Sequence, residues 1–254
     1  MKNMKKIVDL WKNQKSTLNG WISLNNAFGA EVMAYAGFDT LTIDMQHGIS
    51  DYSSLIPMLQ AIKTIHIPTF VRVPWLEESS IMKSLDAGVN GIICPMINSK
   101  KDAQRLVKSC YYPPYGERSF GPIRAKFLYD QNYFEVAKEE TFVFAMIETK
   151  EAFENLEEIL SIEGIDGVYI GPADLSCSLG VTPKFDQEDE SVFQTIELIL
   201  QKTKKYQKFC GIHNGSARYA KKMEKLGFNF LTLGSDAMFM LEGAKKIIQD
   251  FYCN

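Results

Sequence analysis

The chain has 254 residues, 46% hydrophobic and 23% charged, with a net charge of −3. That supplies a large core, gives no basic field for nucleic acid, and contains no run near the roughly 20 apolar residues a membrane helix needs. Five cysteines (Cys94, Cys110, Cys177, Cys210 and Cys253) form no Cys-x-x-Cys pair. They fit reduced thiols in a cytoplasmic protein and give no zinc or disulfide framework.

In chain order, the basic N-terminus up to Lys12 reads as an amphipathic first helix, because no long apolar core or cleavage site follows it. Strands are predicted over 17–24, 38–46, 67–73, 91–97, 142–149, 167–171, 209–213 and 229–234. Between them the pattern predicts helices over 25–37, from Ser50 or Asp51 to Ile65, over 77–88, and from Ser99 to Tyr112. Further helices fall near 131–140 and over 150–160, 190–206, 216–226 and 236–251. An irregular segment, rich in aromatics and prolines, separates Tyr111 from Arg124. The short connections show no linker composition and no solenoid repeat. Eight strand–helix units in strict alternation predict a single (β/α)₈ TIM barrel spanning 1–254, an α/β fold. The runner-up, a doubly wound open sheet, would carry a glycine-rich phosphate loop after its first strand, and Asn25-Asn-Ala-Phe-Gly29 is not one.

The carboxyl ends of barrel strands build the site. Here they carry Asp44, Gln46 and His47, then Arg72, Glu148, the Gly171-Pro172-Ala173-Asp174 turn, His213 with Asn214, and Asp236. Val168-Tyr-Ile170 leads into that turn, and a short helix follows with Asp174 or Ser176 near its cap. Free N–H groups at such a turn can hold a carboxylate or phosphate. Glu148 and Asp174, on neighbouring strand ends, could share a hard divalent cation, or could merely cap helices. Arg72 could pair with Asp44 or Glu148, and His213 reads as a packed histidine, or one supporting the site from behind, rather than a ligand. Asp86, at a helix end, reads by itself as solvated. With three histidines lacking ligand spacing, zinc does not fit, whereas two carboxylates with substrate oxygens match Mg²⁺ or Mn²⁺. No predicted strand carries an interior lysine, which weighs against a Schiff base.

Several segments together resemble one family. They are Phe38-Asp-Thr-Leu-Thr-Ile-Asp-Met-Gln-His-Gly48, Val71-Arg-Val-Pro74, Lys83-Ser-Leu-Asp-Ala-Gly88, Gly91-Ile-Ile-Cys-Pro-Met96, Tyr112-Pro-Pro-Tyr-Gly-Glu-Arg118, Ile147-Glu148 and the stretch from Glu163 to Ser176. The resemblance, over roughly residues 17 to 250, is to the HpcH/HpaI aldolases, metal-dependent pyruvate aldolases related to 2-dehydro-3-deoxyglucarate aldolase and macrophomate synthase. It implies that Glu148 and Asp174 hold a divalent metal (Mg²⁺, Mn²⁺ or Co²⁺) that pyruvate chelates. It further implies that the pyruvate carboxylate meets the amides of Ala173 and Asp174, within the turn from Gly171 and Pro172, and that Arg72 stabilises the enolate oxygen. His47, polarised by Asp86 and oriented by Asp44, would serve as general base through a metal-bound water. The implied reaction is reversible cleavage of a 4-hydroxy-2-oxo acid to pyruvate, or a close 2-oxo acid, and an aldehyde.

The chain departs from the family pattern at Gln46, where glutamate is common, and at Met146, where glutamine is common. Arg118 and Arg124 could meet an acidic acceptor substrate, or could be solvated or at subunit contacts. The apolar last helix, with Met238, Met240, Leu241, Ile247, Ile248 and Phe251, is suited to exchange between subunits of a homohexamer. Two other readings stand beside the aldolase: an acyl-CoA lyase of the citrate-lyase or malyl-CoA type, and a non-catalytic binder of 2-oxo acids.

Overall fold

The computed structural model describes residues 4–129 and 132–253. Parts of two predicted helices, at residues 1–3 and at Gln131, lie outside them. The first half of the chain runs α1 (Met4–Lys12), β1 (Thr17–Ile22), α2 (Ala27–Tyr35), β2 (Thr40–Asp44), α3 (Tyr52–Lys63), β3 (Thr69–Arg72), α4 (Glu78–Asp86), β4 (Gly91–Cys94) and α5 (Lys100–Cys110). The second half runs α6 (Tyr133–Glu140), β5 (Phe142–Ile147), α7 (Lys150–Glu154), α8 (Leu156–Leu160), β6 (Gly167–Ile170), α9 (Pro172–Ser178), α10 (Glu190–Lys205), β7 (Phe209–Asn214), α11 (Ala217–Leu226), β8 (Phe230–Leu233) and α12 (Asp236–Cys253).

All eight strands pair in parallel, in chain order, and β8 closes onto β1 with Thr17 opposite Phe230. Closure excludes the open sheet and gathers every strand's carboxyl end at one mouth. The strands read as continuous apolar runs because both faces are buried. Outward residues such as Ile43, Val71, Val143 and Ile170 meet the helices in one apolar layer.

Inward residues fill the barrel by setting large beside small. Phe70, Phe144 and Tyr169 occupy the interior, and a Cβ on Gly91, Gly167 or Gly211 would lie 2.4, 2.6 or 2.7 Å from those three rings respectively. The floor is closed by α1, which buries Met4, Ile7 and Trp11 against the interior aromatics. The Trp11 ring meets Phe144 edge-on at 5.9 Å and lies 5.6 Å from Phe230, while its indole N–H donates to Thr17 Oγ1 at 2.9 Å. Above the aromatic floor lies a polar layer in which Asn19 joins the hydroxyls of Thr40, Thr42 and Thr232.

Two local expectations change. The helix predicted over 150–160 divides at Asn155 into α7 and α8; the Asn155 amide donates to the Asn98 carbonyl at 2.8 Å. Neither Asp174 nor Ser176 caps α9: Gly171 is its N-cap, Pro172 opens it, and the Ser176 hydroxyl donates back to the Pro172 carbonyl.

Candidate active site

At the mouth lies a cavity of about 570 Å³, lined by Trp21, Asp44, His47, Arg72, Met146, Tyr169, Gly171 to Asp174, Phe185 and His213 among others. Its most ordered feature is the pair of Asp44 on β2 and Arg72 on β3, which the register sets side by side. Arg72 Nε and Nη2 donate to the two Asp44 oxygens at 2.8 and 2.7 Å, a bidentate bond with both side chains largely buried. Asp44 also accepts the Trp21 indole N–H and the backbone N–H groups of Gln46, His47 and Gly48. Burial pushes its carboxyl up, but the Arg72 bonds and charge, with those of Gln46 and Trp21, outweigh it and hold the group below the usual carboxylate range. Asp44 therefore folds the loop that presents His47, and it fixes Arg72, whose guanidinium carbon lies 4.8 Å over the Trp21 ring. His47 itself is exposed on the cavity wall.

Glu148, just beyond β5, is 1% exposed. One oxygen accepts the Met96 backbone N–H at 2.7 Å; the other, Oε2, is buried without a partner. Burial first, then the charge of Asp174, raise its pKa to about 7, against the pull of the Met96 amide and of Arg72. A Cβ on Gly171 would lie 2.7 Å from Oε2 and 3.1 Å from the Met146 methyl, so glycine here makes the space beside that oxygen. Asp174, the third residue of α9, is exposed at the rim.

The fit of a divalent cation follows from this arrangement. A buried carboxylate oxygen without a donor is costly unless a cation or proton meets it. A hard cation takes one or two carboxylates and completes its shell with substrate and water oxygens. Among the described residues no cluster of three or more His, Cys, Asp or Glu could hold a metal, so the protein's own contribution would be these two carboxylates.

The structure brings together Asp44, His47, Arg72, the Gly171–Asp174 turn and Glu148. Asp86 does not join them. It ends α4, which runs from the mouth down to the barrel floor where β4 begins, and it pairs with Arg118 at 2.5 Å. Within one chain it therefore cannot polarise His47. Arg118 does not reach an acidic acceptor at the mouth either, being buried against the Tyr112 ring at 4.5 Å, and Arg124 donates to the Ala87 carbonyl at the floor. Asp236 is a clamp that accepts the Ser23 and Leu24 N–H groups. Sequence reasoning missed Trp21, Phe185 and Tyr169 as cavity walls, and it read His213 at its strand end as a packed or supporting histidine, whereas the ring lines the cavity itself. The two-residue period of a strand puts Trp21 on the face of Asn19 and Tyr169 on the face of Gly171, the only signal available.

A parallel barrel whose mouth joins a carboxylate pair to a clamped arginine is built to steady developing negative charge on a small acid, the work of a lyase. Residues 18–242 match the HpcH/HpaI aldolase/citrate lyase family, and the chain belongs to it. It is thus an aldolase, a carbon–carbon lyase acting on 2-oxo acids, in a family known for dependence on divalent metals. The chain is 40% identical to a hydroxypyruvate/pyruvate aldolase of Rhizorhabdus wittichii, covering 97% of this chain and 98% of that protein. It is 32% identical to a 4-hydroxy-2-oxo-heptane-1,7-dioate aldolase of Escherichia coli, covering 91% and 88%. A solved HpcH/HpaI family protein from Burkholderia cenocepacia superposes with a TM-score of 0.91 at 27% identity, over 98% of this chain and 99% of that one.

Proposed function

We propose that the chain cleaves a 4-hydroxy-2-oxo acid to an aldehyde and pyruvate or hydroxypyruvate, and joins them in reverse, with Glu148 and Asp174 holding Mg²⁺, Mn²⁺ or Co²⁺. The observation that carries this is the unpartnered Glu148 Oε2 in its glycine-lined recess, electrostatically coupled to Asp174. The name of the Rhizorhabdus relative supports the pair of oxo acids. When bound, the ion would hold oxygens of the oxo acid and steady the negative charge that bond cleavage leaves on it.

The remaining roles belong to the chain's own groups. Arg72 Nε and Nη2 are committed to Asp44, so Nη1 is the edge left to meet the enolate oxygen. The backbone N–H groups of Ala173 and Asp174, in the first turn of α9 after Gly171 and Pro172, receive the substrate carboxylate. A ring nitrogen of His47 takes the proton from the 4-hydroxyl in cleavage and returns it in condensation. Asp86 lies at the other end of its own barrel, so any pairing with His47 would be made between subunits. Assembly is supported by α12, whose Met238, Met240, Leu241, Ile247, Ile248 and Phe251 are exposed. We assign it to a homohexamer in the cytoplasm, with five free cysteines and no described helix long and apolar enough to cross a membrane.

The cavity lining carries one arginine, already paired, and no lysine, which does not favour the phosphates of a CoA thioester. The test is exchange of the pyruvate methyl protons in D₂O, followed by NMR, after chelation and after return of each metal. Exchange only in the metal-loaded protein is expected. Unchanged exchange in chelator, or a borohydride-trapped lysine, overturns the assignment.

A further inference from the structure

His213 projects from β7 into the cavity, between the rings of Trp21 at 5.0 Å and Phe185 at 4.7 Å. Its Nδ1 lies 3.3 Å from the Tyr169 hydroxyl. That hydroxyl has one proton and donates it to Thr232 Oγ1 at 2.6 Å, a much shorter contact. When Tyr169 gives its proton to Thr232 it offers His213 only a lone pair, and that arrangement puts the imidazole proton on Nδ1. No described residue hydrogen-bonds Nε2. Burial first, and then the Arg72 charge, hold the ring's pKa down to about 3 against the pull of Asp44, so it is neutral throughout the working range. A neutral ring in this tautomer presents one bare nitrogen, an acceptor, toward the cavity that Arg72 also lines.

We propose that His213 is a specificity residue whose Nε2 accepts a hydrogen bond from a substrate hydroxyl, with Tyr169 and Thr232 positioning it. This rests on the aldolase reading above. The hydroxyl belongs either to C3 of a hydroxylated 2-oxo acid or to an α-hydroxyaldehyde; the same acceptor serves both. An acceptor enclosed by aromatic walls is left unpaired by the deoxy compound, and that is where discrimination arises.

Two measurements test it on the full-length, metal-loaded enzyme. Long-range ¹H–¹⁵N NMR of protein labelled at its three histidines, with His213→Leu assigning the signal, reads the tautomer directly. A pyrrole-like Nδ1 and a pyridine-like Nε2 are expected; a proton on Nε2 overturns the proposal. The second is the kcat/KM ratio of hydroxypyruvate to pyruvate with acetaldehyde, and of glycolaldehyde to acetaldehyde with pyruvate. His213→Leu should lower one of these ratios on the order of 10- to 100-fold, with His213→Gln restoring part of it. Because each result is a ratio, a general loss of activity cancels. The ratio that moves identifies which reactant carries the hydroxyl; neither moving overturns the proposal. A wild-type enzyme inert toward every 2-oxo acid sinks the aldolase reading itself, whereas an active one whose ratios ignore His213 sinks only this inference.

Discussion

Replacing Glu148 by glutamine separates its role as a metal ligand from its effect as a buried charge. In protein stripped of metal by chelator, burial holds the Glu148 carboxyl at a pKa of about 7 against 4.5 for the free group. The folded state then keeps a proton that the unfolded chain has released, so the wild type loses stability as pH rises from 4.5 through 7. At about 1.36 kcal/mol per pH unit the plateau is on the order of 3 kcal/mol, of which less than about 1 kcal/mol is felt at pH 5. Glu148→Gln keeps an acceptor for the Met96 N–H and carries no charge, so it should gain on the wild type by about 2.5 kcal/mol between pH 5 and pH 8. For a chain of this size that is roughly 5–10 °C in midpoint. Excess Mn²⁺ should close most of the gap at pH 8, because only the wild type gains from binding, by about 2.7 kcal/mol at one hundred times Kd. The assay is denaturation with chelator and with metal at both pH values. A stability gap that is the same at pH 5 and pH 8, or a variant stabilised by metal as much as the wild type, refutes the reasoning.

Asp174→Asn should remove metal-dependent turnover while leaving the melting of chelated protein nearly unchanged, since the side chain is exposed; calorimetric metal titration checks the first half. Gly171→Ala places a Cβ 2.7 Å from Glu148 Oε2 and should weaken Mn²⁺ binding at least about tenfold in the same titration. Arg72→Met leaves the Asp44 charge buried without its partner and should cost about 3–5 kcal/mol in urea unfolding. Trp11→Ala opens the barrel floor and should cost about 3–5 kcal/mol in the same assay.

The alternation of apolar runs and amphipathic stretches determined the barrel, because each strand is buried on both faces and each helix on one. Thus β5 and β6 were readable from Phe142–Ile147 and Gly167–Ile170 alone. The residues ending those runs, Asp44, Arg72 and Glu148, were legible for a related reason: a charge after a buried strand must be matched by a partner or a ligand. Which partner was a matter of register, and only the closed sheet put Arg72 against Asp44 rather than Glu148. The fate of Asp86 was likewise illegible, since a carboxylate at a helix end looks the same in sequence whether the helix ends at the mouth or at the floor. His213 shows the same limit: its tautomer depends on Tyr169 and Thr232, distant in the chain and brought together only by the ordering of β6, β7 and β8. Local pattern decides what each segment becomes, because burial acts residue by residue. Pairing, tautomer and the empty space beside an oxygen are set by contacts between segments, and those exist only once the barrel has closed.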